Sequence, residues 1–150
     1  MIITTESIET TRPDAQELLK QHYEELTLFK EHINLEPNWE SYLRLEQQKN
    51  LVLITARDKG VLVGYTLFFL TNHMHYKSTR VAINDVLFLH KNYRKGFTGI
   101  RLLKEAETVL KALGIDKVMW HVKFTNNFGP ILKRMGYINE EIIFSKMLKE

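Results

Sequence analysis

The sequence contains no cysteine. That excludes a disulfide framework, a thiolate nucleophile and any zinc site built on thiolates. Proline is scarce, at Pro13, Pro37 and Pro130, and glycine numbers seven. No linker-like stretch, repeat or low-complexity tract divides the chain, so residues 1–150 read as a single domain, long enough to bury a core. A long apolar run is also missing. The longest, Val61–Leu70, is interrupted by Gly64, Tyr65 and Thr66, and reads as a buried strand rather than a membrane span. The first six residues lack the basic start and apolar stretch of a secretion signal, and the expectation is a soluble, cytoplasmic protein with no membrane partner. A strong charge of one sign is absent too: 21 Lys and Arg stand against 18 Asp and Glu, a formal +3. Dedicated nucleic-acid binders carry more positive charge, arranged as a stripe. A local basic cluster for a phosphorylated cofactor accounts for this balance, and nucleic acid is not the expected partner.

What is present alternates between strand and helix patterns. Residues 2–9 read as a first strand. Pro13-Asp14 then opens a helix with Leu18, Leu19, His22, Leu26 and Phe29 at helical spacing. Pro37 starts a second helix, whose apolar face is Trp39, Tyr42 and Leu43. Leu51–Ala56 and Val61–Leu70 form a hairpin around Asp58-Lys59-Gly60. A polar connection, Thr71–Ser78, leads to a strand at Val81–Leu89. A helix from about Gly99 to Leu113 follows, with a buried stripe of Leu103, Ala106, Leu110 and Leu113, and Gly114 closes it. Lys117–Val122 reads as a strand, Phe128–Arg134 as a short helix ended by Gly136, and Ile142–Leu148 as a last strand. Val81–Val122 is a β-α-β unit, so its strands are expected to be parallel. The class is α/β with a mixed sheet, and a site is expected at the carboxyl ends of the parallel strands.

The most informative stretch is Leu87-Phe88-Leu89-His90-Lys91-Asn92-Tyr93-Arg94-Lys95-Gly96-Phe97-Thr98-Gly99-Ile100. It is a strand, a basic glycine-containing turn, then a helix. A helix N-terminus offers free N–H groups and the positive end of the dipole, an anion site by construction. Lys91, Arg94, Lys95 and Arg101 add positive charge, and a diphosphate is the natural ligand. The loop is neither a P-loop nor the dinucleotide fingerprint, because Gly-Lys-Ser/Thr and Gly-x-Gly-x-x-Gly are both absent.

The loop resembles motif A of the GNAT acetyltransferases, Arg/Gln-x-x-Gly-x-Gly/Ala after the fourth strand. Arg94 holds the arginine position and Gly99 the last glycine. Phe97 stands where the first glycine is usual, with Gly96 one residue early. The likeness runs from roughly Val52 to the C-terminus and includes His121-Val122-Lys123 through Gly136-Tyr137, which is similar to motif B. It implies the GNAT fold, a mixed central β-sheet flanked by helices, and acetyl-CoA as cofactor. Leu87, Phe88 and Leu89 would bind the pantetheine arm and acetyl carbonyl. Arg94, Lys95, Gly96, Phe97, Thr98, Gly99 and Ile100 would wrap the pyrophosphate. A sheet-edge homodimer is expected by the same analogy. Short stretches (His22–Leu26, His75-Tyr76, Asn84-Asp85, Phe128–Pro130) resemble the GNAT-domain proteins of tailed phages and prophages.

Acetyl transfer to an amine needs a base, an oxyanion donor and an acid for the thiolate. Asp85 is the first candidate base. Strand alternation places it on one face with Leu87 and Leu89, and several family members carry a glutamate there. The plain alternative is an aspartate bonding a loop amide. The family's general-acid tyrosine aligns with Leu132, which cannot donate a proton, so Tyr137, His121 and His90 are the possible stand-ins. Tyr137 is taken with Asp85 as the catalytic pair. His22, Glu24, His75, Tyr76 and His121 are the candidate substrate-binding residues, with Glu25 beside them. His73-x-His75 lacks a third ligand at a recognisable spacing, and no metal is expected.

The expected function is transfer of acetyl from acetyl-CoA to a primary amine, on a small molecule or a protein, in one ternary complex, since no cysteine can form an acyl-enzyme. Phe97 and Leu132 motivate one alternative, a catalytically weak CoA-binding or protein-interaction module. Acetylation of amino-modified DNA bases is the other.

Overall fold

A computed structural model describes residues 1–149. Five strands form one sheet in the order β1-β2-β3-β4-β5: Ile2–Glu6, Leu51–Asp58, Val61–Asn72, Arg80–Leu89 and Lys117–Met119. The first four are antiparallel neighbours, and β4 and β5 pair in parallel. Helices α1 (Ile8–Leu26) and α2 (Trp39–Gln47) cover one face; α3 (Thr98–Ala112) covers the other, and α4 (Gly129–Arg134) follows β5. The mixed sheet and the strand–helix order as far as α4 are those expected. Among the described residues no helix is long and apolar enough to cross a membrane.

Local chemistry explains the boundaries. The first strand ends at Glu6, because Ser7 caps α1: its Oγ accepts from Thr10 N at 3.1 Å, and the Glu46 carboxylate accepts from Ile8 N at 2.9 Å. Ser7 is therefore the start signal. Pro13 lies inside α1 rather than at its head. Asn38 caps α2 in the same way, accepting from Ser41 N at 3.1 Å. The β2–β3 hairpin closes through Lys59 and Gly60, both at positive φ, which suits the right-handed twist of the strands.

Two expectations are corrected. β5 stops at Met119 rather than Val122, and Ile142–Leu148 is not a strand. The physical reason is shared. β5 pairs with β4 only from Val81↔Lys117 to Ile83↔Met119 and then departs, so the chain beyond it has no ladder to join. Alternating apolar residues without a partner cannot satisfy their backbone groups as a strand. Ile142, Ile143, Phe144 and Leu148 are all exposed.

A third correction concerns β4 itself. Leu67 pairs with Val86 and Phe68 with Asn84, so Asp85 is an unpaired bulge residue. The buried Asn84 side chain holds the break: its Nδ2 lies within hydrogen-bonding distance of Leu67 O (3.2 Å), Val86 O (3.0 Å) and Thr66 Oγ1 (3.0 Å). A bulge inverts the alternation past it. Asp85 thus faces α1 and α2 with Val86, while Leu87 packs toward α3. The single face expected for Asp85, Leu87 and Leu89 is not formed.

Candidate active site

Three features converge around the carboxyl half of β4. The first is an open strand edge. Beyond Ile83 no β5 residue pairs with β4. His90 N donates to Val63 O at 2.8 Å, which sets the ladder phase. By antiparallel alternation Phe88 then bonds across to Tyr65, while the Leu87 and Leu89 backbone groups turn toward the open edge. Leu89 O is already engaged there by Arg94 Nε at 2.8 Å.

The second feature is the N-terminus of α3. Unlike α1 and α2, it has no capping side chain: Phe97 occupies the cap position and makes no such bond. The first intrahelical bond runs from Arg101 N to Phe97 O, leaving the N–H groups of Thr98, Gly99 and Ile100 without an intrahelical acceptor. Gly96, at φ +106°, permits the turn that precedes them. The Phe97 side chain is 78% exposed, so its bulk lies outside the turn. A Cβ built on Gly99 would meet only Leu89 Cδ2 at 3.7 Å, an ordinary contact. The fold does not demand glycine there, and the space beside it stays open for a ligand. Lys91, Lys95 and Arg101 are exposed and form no salt bridge among the described residues.

Arg94 behaves differently. Its guanidinium forms a two-point ion pair with Glu25 of α1 and lies over the Phe88 ring, 5.3 Å from the centroid. That pairing holds the Glu25 carboxyl below the usual carboxylate range. In this structure Arg94 ties the loop to α1. A hollow of about 590 Å³ beside it is lined by Gln21, Glu24, Glu25, His90 and Lys91.

The third feature is a cleft of about 390 Å³ between α1, the α1–α2 connection, α2 and the sheet. At its floor the Tyr42 hydroxyl donates to Asp85 Oδ2 at 2.7 Å. Burial, then the hydrogen bond with Asp85, pushes the Tyr42 phenol up, so it stays protonated. Beside it His22 Nδ1 and Tyr65 Oη share a 2.8 Å hydrogen bond, and burial likewise raises the Tyr65 phenol. Burial, helped by the charge of Lys123 and partly opposed by Glu25, lowers His22 to about 4. His22 is therefore neutral at pH 7. Its ring stacks on Phe88 with centroids 5.0 Å apart. Phe88 thus joins the cleft, through His22, to the basic loop before α3, through Arg94.

The structure separates the other expected residues from this cleft. His75 and Tyr76 sit in the exposed β3–β4 connection, clustered with His73, at the opposite end of β4 from α3's N-terminus. His121 is exposed and does not line the cleft, and Glu24 lines the neighbouring hollow. Tyr137 follows α4, with its amide donating to Leu132 O at 3.0 Å. Burial raises its phenol to about 12, and Trp120 and Glu107 flank the hydroxyl. Trp120 packs on the α3 side of the sheet, whereas Asp85 faces α2 on the other, and Tyr137 does not line the Asp85 cleft. Leu132 is buried, a core position. No group of three or more candidate metal ligands occurs among the described residues. Sequence reasoning missed Tyr65 and Lys123, and took Tyr42 only for an apolar face. The bulge at Asp85, which turns Leu87 to the opposite face, leaves no mark in a periodicity.

Residues 13–130 match the model of the Acetyltransferase (GNAT) family. The chain belongs to that family, whose members are acyltransferases that use acetyl-CoA. No curated protein sequence matches it. Among solved structures, it resembles the ribosomal-protein-alanine N-acetyltransferase of Brucella melitensis biovar Abortus 2308 (TM-score 0.70, 14% identity, 98% of this chain and 99% of that one). It also resembles glucosamine-6-phosphate N-acetyltransferase from Arabidopsis thaliana (TM-score 0.71, 15% identity, 99% and 98%). A third is a predicted acetyltransferase of Clostridium acetobutylicum with acetyl-CoA (TM-score 0.66, 15% identity, 98% and 96%). These likenesses show the fold.

Proposed function

We propose that this protein transfers acetyl directly from acetyl-CoA to a primary amine, with the amine held at Asp85. The observation that carries the reading is the juxtaposition across β4: an uncapped helix end and open strand edge on one side, a closed cleft ending on a carboxylate on the other. The N–H groups of Thr98, Gly99 and Ile100 hold the diphosphate, supported by Lys95 and Arg101. The edge-facing backbone groups of Leu87 and the N–H of Leu89 receive the pantetheine arm and the thioester carbonyl. Acetyl-CoA supplies the activated acyl group. Asp85 accepts a proton from the bound ammonium, directly or through water, leaving the amine lone pair to form the C–N bond as the C–S bond breaks. Tyr42 keeps Asp85 oriented. The second proton of the attacking nitrogen passes through water to the released thiolate, since Leu132 offers none and Tyr137 does not line the cleft.

Arg94 acts as a positioning residue, with Glu25 as its anchor. The phage or prophage likeness rests on its short sequence stretches, and fixes no acceptor. A homodimer has as its support the exposed apolar residues Ile142, Ile143 and Phe144 beyond the short edge strand β5. The function is tested by thiol release from acetyl-CoA over a panel of amines. Amine-dependent release matched by acetylated amine supports it. A protein that binds acetyl-CoA and acetylates nothing would be the weak-module alternative.

A further inference from the structure

The cleft's lining separates the acceptors it can hold. Its walls are aliphatic and aromatic: Leu19, Leu53, Leu67 and Val86 from the helix and sheet, with Trp39 and Tyr23 toward the mouth. Ile33, Leu35 and Pro37 of the α1–α2 connection close the outer side, although Ile33 and Leu35 remain about two-fifths exposed. That connection is held in place by Tyr23, whose hydroxyl donates to Ile33 O at 2.6 Å. Charge is sparse and balanced. Two carboxylates, Asp85 and Glu36, line the cleft against two cations, Arg12 and Lys123. Arg12 sits over the Trp39 ring, 4.8 Å from the centroid, and Glu36, Lys123 and Arg12 are exposed at the rim. Only Asp85 is an anion at the floor.

We propose that the acceptor is a monoamine with an apolar, arylalkyl-type body, its ammonium on Asp85 and its body against the Leu35–Trp39 wall. A polycation does not fit this charge pattern. Each further ammonium would have to enter an apolar wall without an anion, where an unpaired charge is costly, or sit at the mouth, where one carboxylate, Glu36, lines the cleft against two cations, Arg12 and Lys123. A protein lysine fits no better, because its neighbouring backbone would have to pass the apolar connection over the cleft. With His22 neutral at pH 7, that ring adds no positive charge at the floor. The inference rests on the transferase reading above and narrows its acceptor.

The test compares 2-phenylethylamine, spermidine, kanamycin and a lysine-containing peptide with the full chain. Acetyl-CoA affinity and amine affinity are measured separately by calorimetry, the amines in the presence of CoA, and turnover is followed by thiol release. The expected result is that 2-phenylethylamine binds, and that its kcat/KM exceeds that of each other acceptor by at least about tenfold. Leu35→Lys, at a partly exposed position of the connection, should raise KM for 2-phenylethylamine about tenfold while acetyl-CoA affinity holds. Equal or better use of spermidine, kanamycin or the peptide overturns the inference and leaves the transferase reading standing. So does failure of 2-phenylethylamine to bind, or an unchanged KM in a folded Leu35→Lys protein. Failure of acetyl-CoA to bind overturns the transferase reading itself, and this inference with it.

Discussion

The Tyr42 hydroxyl of α2 donates to Asp85 Oδ2 of β4 at 2.7 Å, at the point where a bulge reverses the alternation of the strand. Alternation from Ile83, whose partner Phe69 packs on the α1–α2 side, carries Asp85 to that face, and the bulge turns Leu87 to the α3 side instead. The carboxylate thus closes the floor of the cleft that α1 and α2 frame.

The first prediction follows from that contact. Asp85→Asn should lower kcat by at least about 100-fold, the lower range for loss of a general base. Acetyl-CoA affinity should hold, because Asp85 does not face α3. Tyr42→Phe removes one hydrogen bond to a charged group and should cost about tenfold in kcat. Steady-state kinetics with circular dichroism as a folding check reads both, and an unchanged kcat in Asp85→Asn removes Asp85 from the chemistry.

His22 makes stability depend on pH. Its folded pKa, about 4, lies below the ordinary 6.5. Between these values the unfolded chain binds the proton that the folded chain refuses, so stability rises with pH across the window and falls as pH drops from 6.5 toward 4. Glu6, lowered to about 2 by its hydrogen bond with Arg57, adds its own loss only below about 4.5. Thermal melts between pH 6.5 and 5 therefore isolate the histidine. His22→Gln should flatten that slope; a slope that survives the substitution belongs to another group.

Much of this architecture is legible in the sequence, and the residues that defeat the reading share a cause. Strands β2, β3 and β4, helix α3 and the diphosphate loop each carry a local pattern: an apolar run, a glycine turn, a 3.6-residue stripe. The missed features depend on partners distant in the chain. Ser7 and Asn38 are caps that local reading could have caught, and the prolines nearby drew the boundary instead. The Asp85 bulge is set by Asn84 bonding to Thr66 and the backbone of Leu67, residues of another strand. The Ile142–Leu148 alternation is a strand pattern with no strand beside it. Among candidate site residues, Leu87, Leu89, Thr98, Gly99 and Ile100 come from the loop and its family likeness, Asp85 from strand alternation and that likeness, and His22 from its place on the first helix. His75, Tyr76, His121 and Tyr137 were named by chemistry and chain order, which do not report which end of a sheet a side chain occupies.

Arg94 and Glu25 form a unit, and the third prediction separates positioning from direct contact. If Arg94 holds the loop through Glu25 and Leu89 O, Glu25→Gln and Arg94→Ala should each weaken acetyl-CoA binding several-fold, because either change frees the loop from α1. A direct phosphate contact by Arg94 would give the opposite for Glu25→Gln, since removing the competing carboxylate would leave the guanidinium free for the anion. Calorimetry on the two variants decides the sign.

Gly99 and Phe97 form a matched pair of controls. A methyl group at Gly99 makes only an ordinary contact with Leu89, so Gly99→Ala should melt within about 2 °C of the parent, the size expected of a near-neutral change. Alanine is the other residue the motif accepts at this position, so acetyl-CoA affinity should hold within about threefold, whereas Gly99→Val should lower it about tenfold by crowding the helix end where the proposed diphosphate would sit. Phe97→Ala, whose side chain is turned outward, should leave affinity within about threefold, an energy of surface-substitution size. A large gain in affinity for Phe97→Ala would mean that the ring obstructs the loop after all.

The account's central claim is that the uncapped end of α3 holds the diphosphate of acetyl-CoA beside the open edge of β4. Its most direct test is calorimetric titration with acetyl-CoA and with S-acetylpantetheine, which keeps the thioester arm and lacks the diphosphate. Acetyl-CoA should bind, and the truncated ligand should bind at least about 100-fold more weakly, the loss of two or three charge-assisted hydrogen bonds. Equal affinity for the two ligands, or no heat from acetyl-CoA at millimolar concentration, would contradict it.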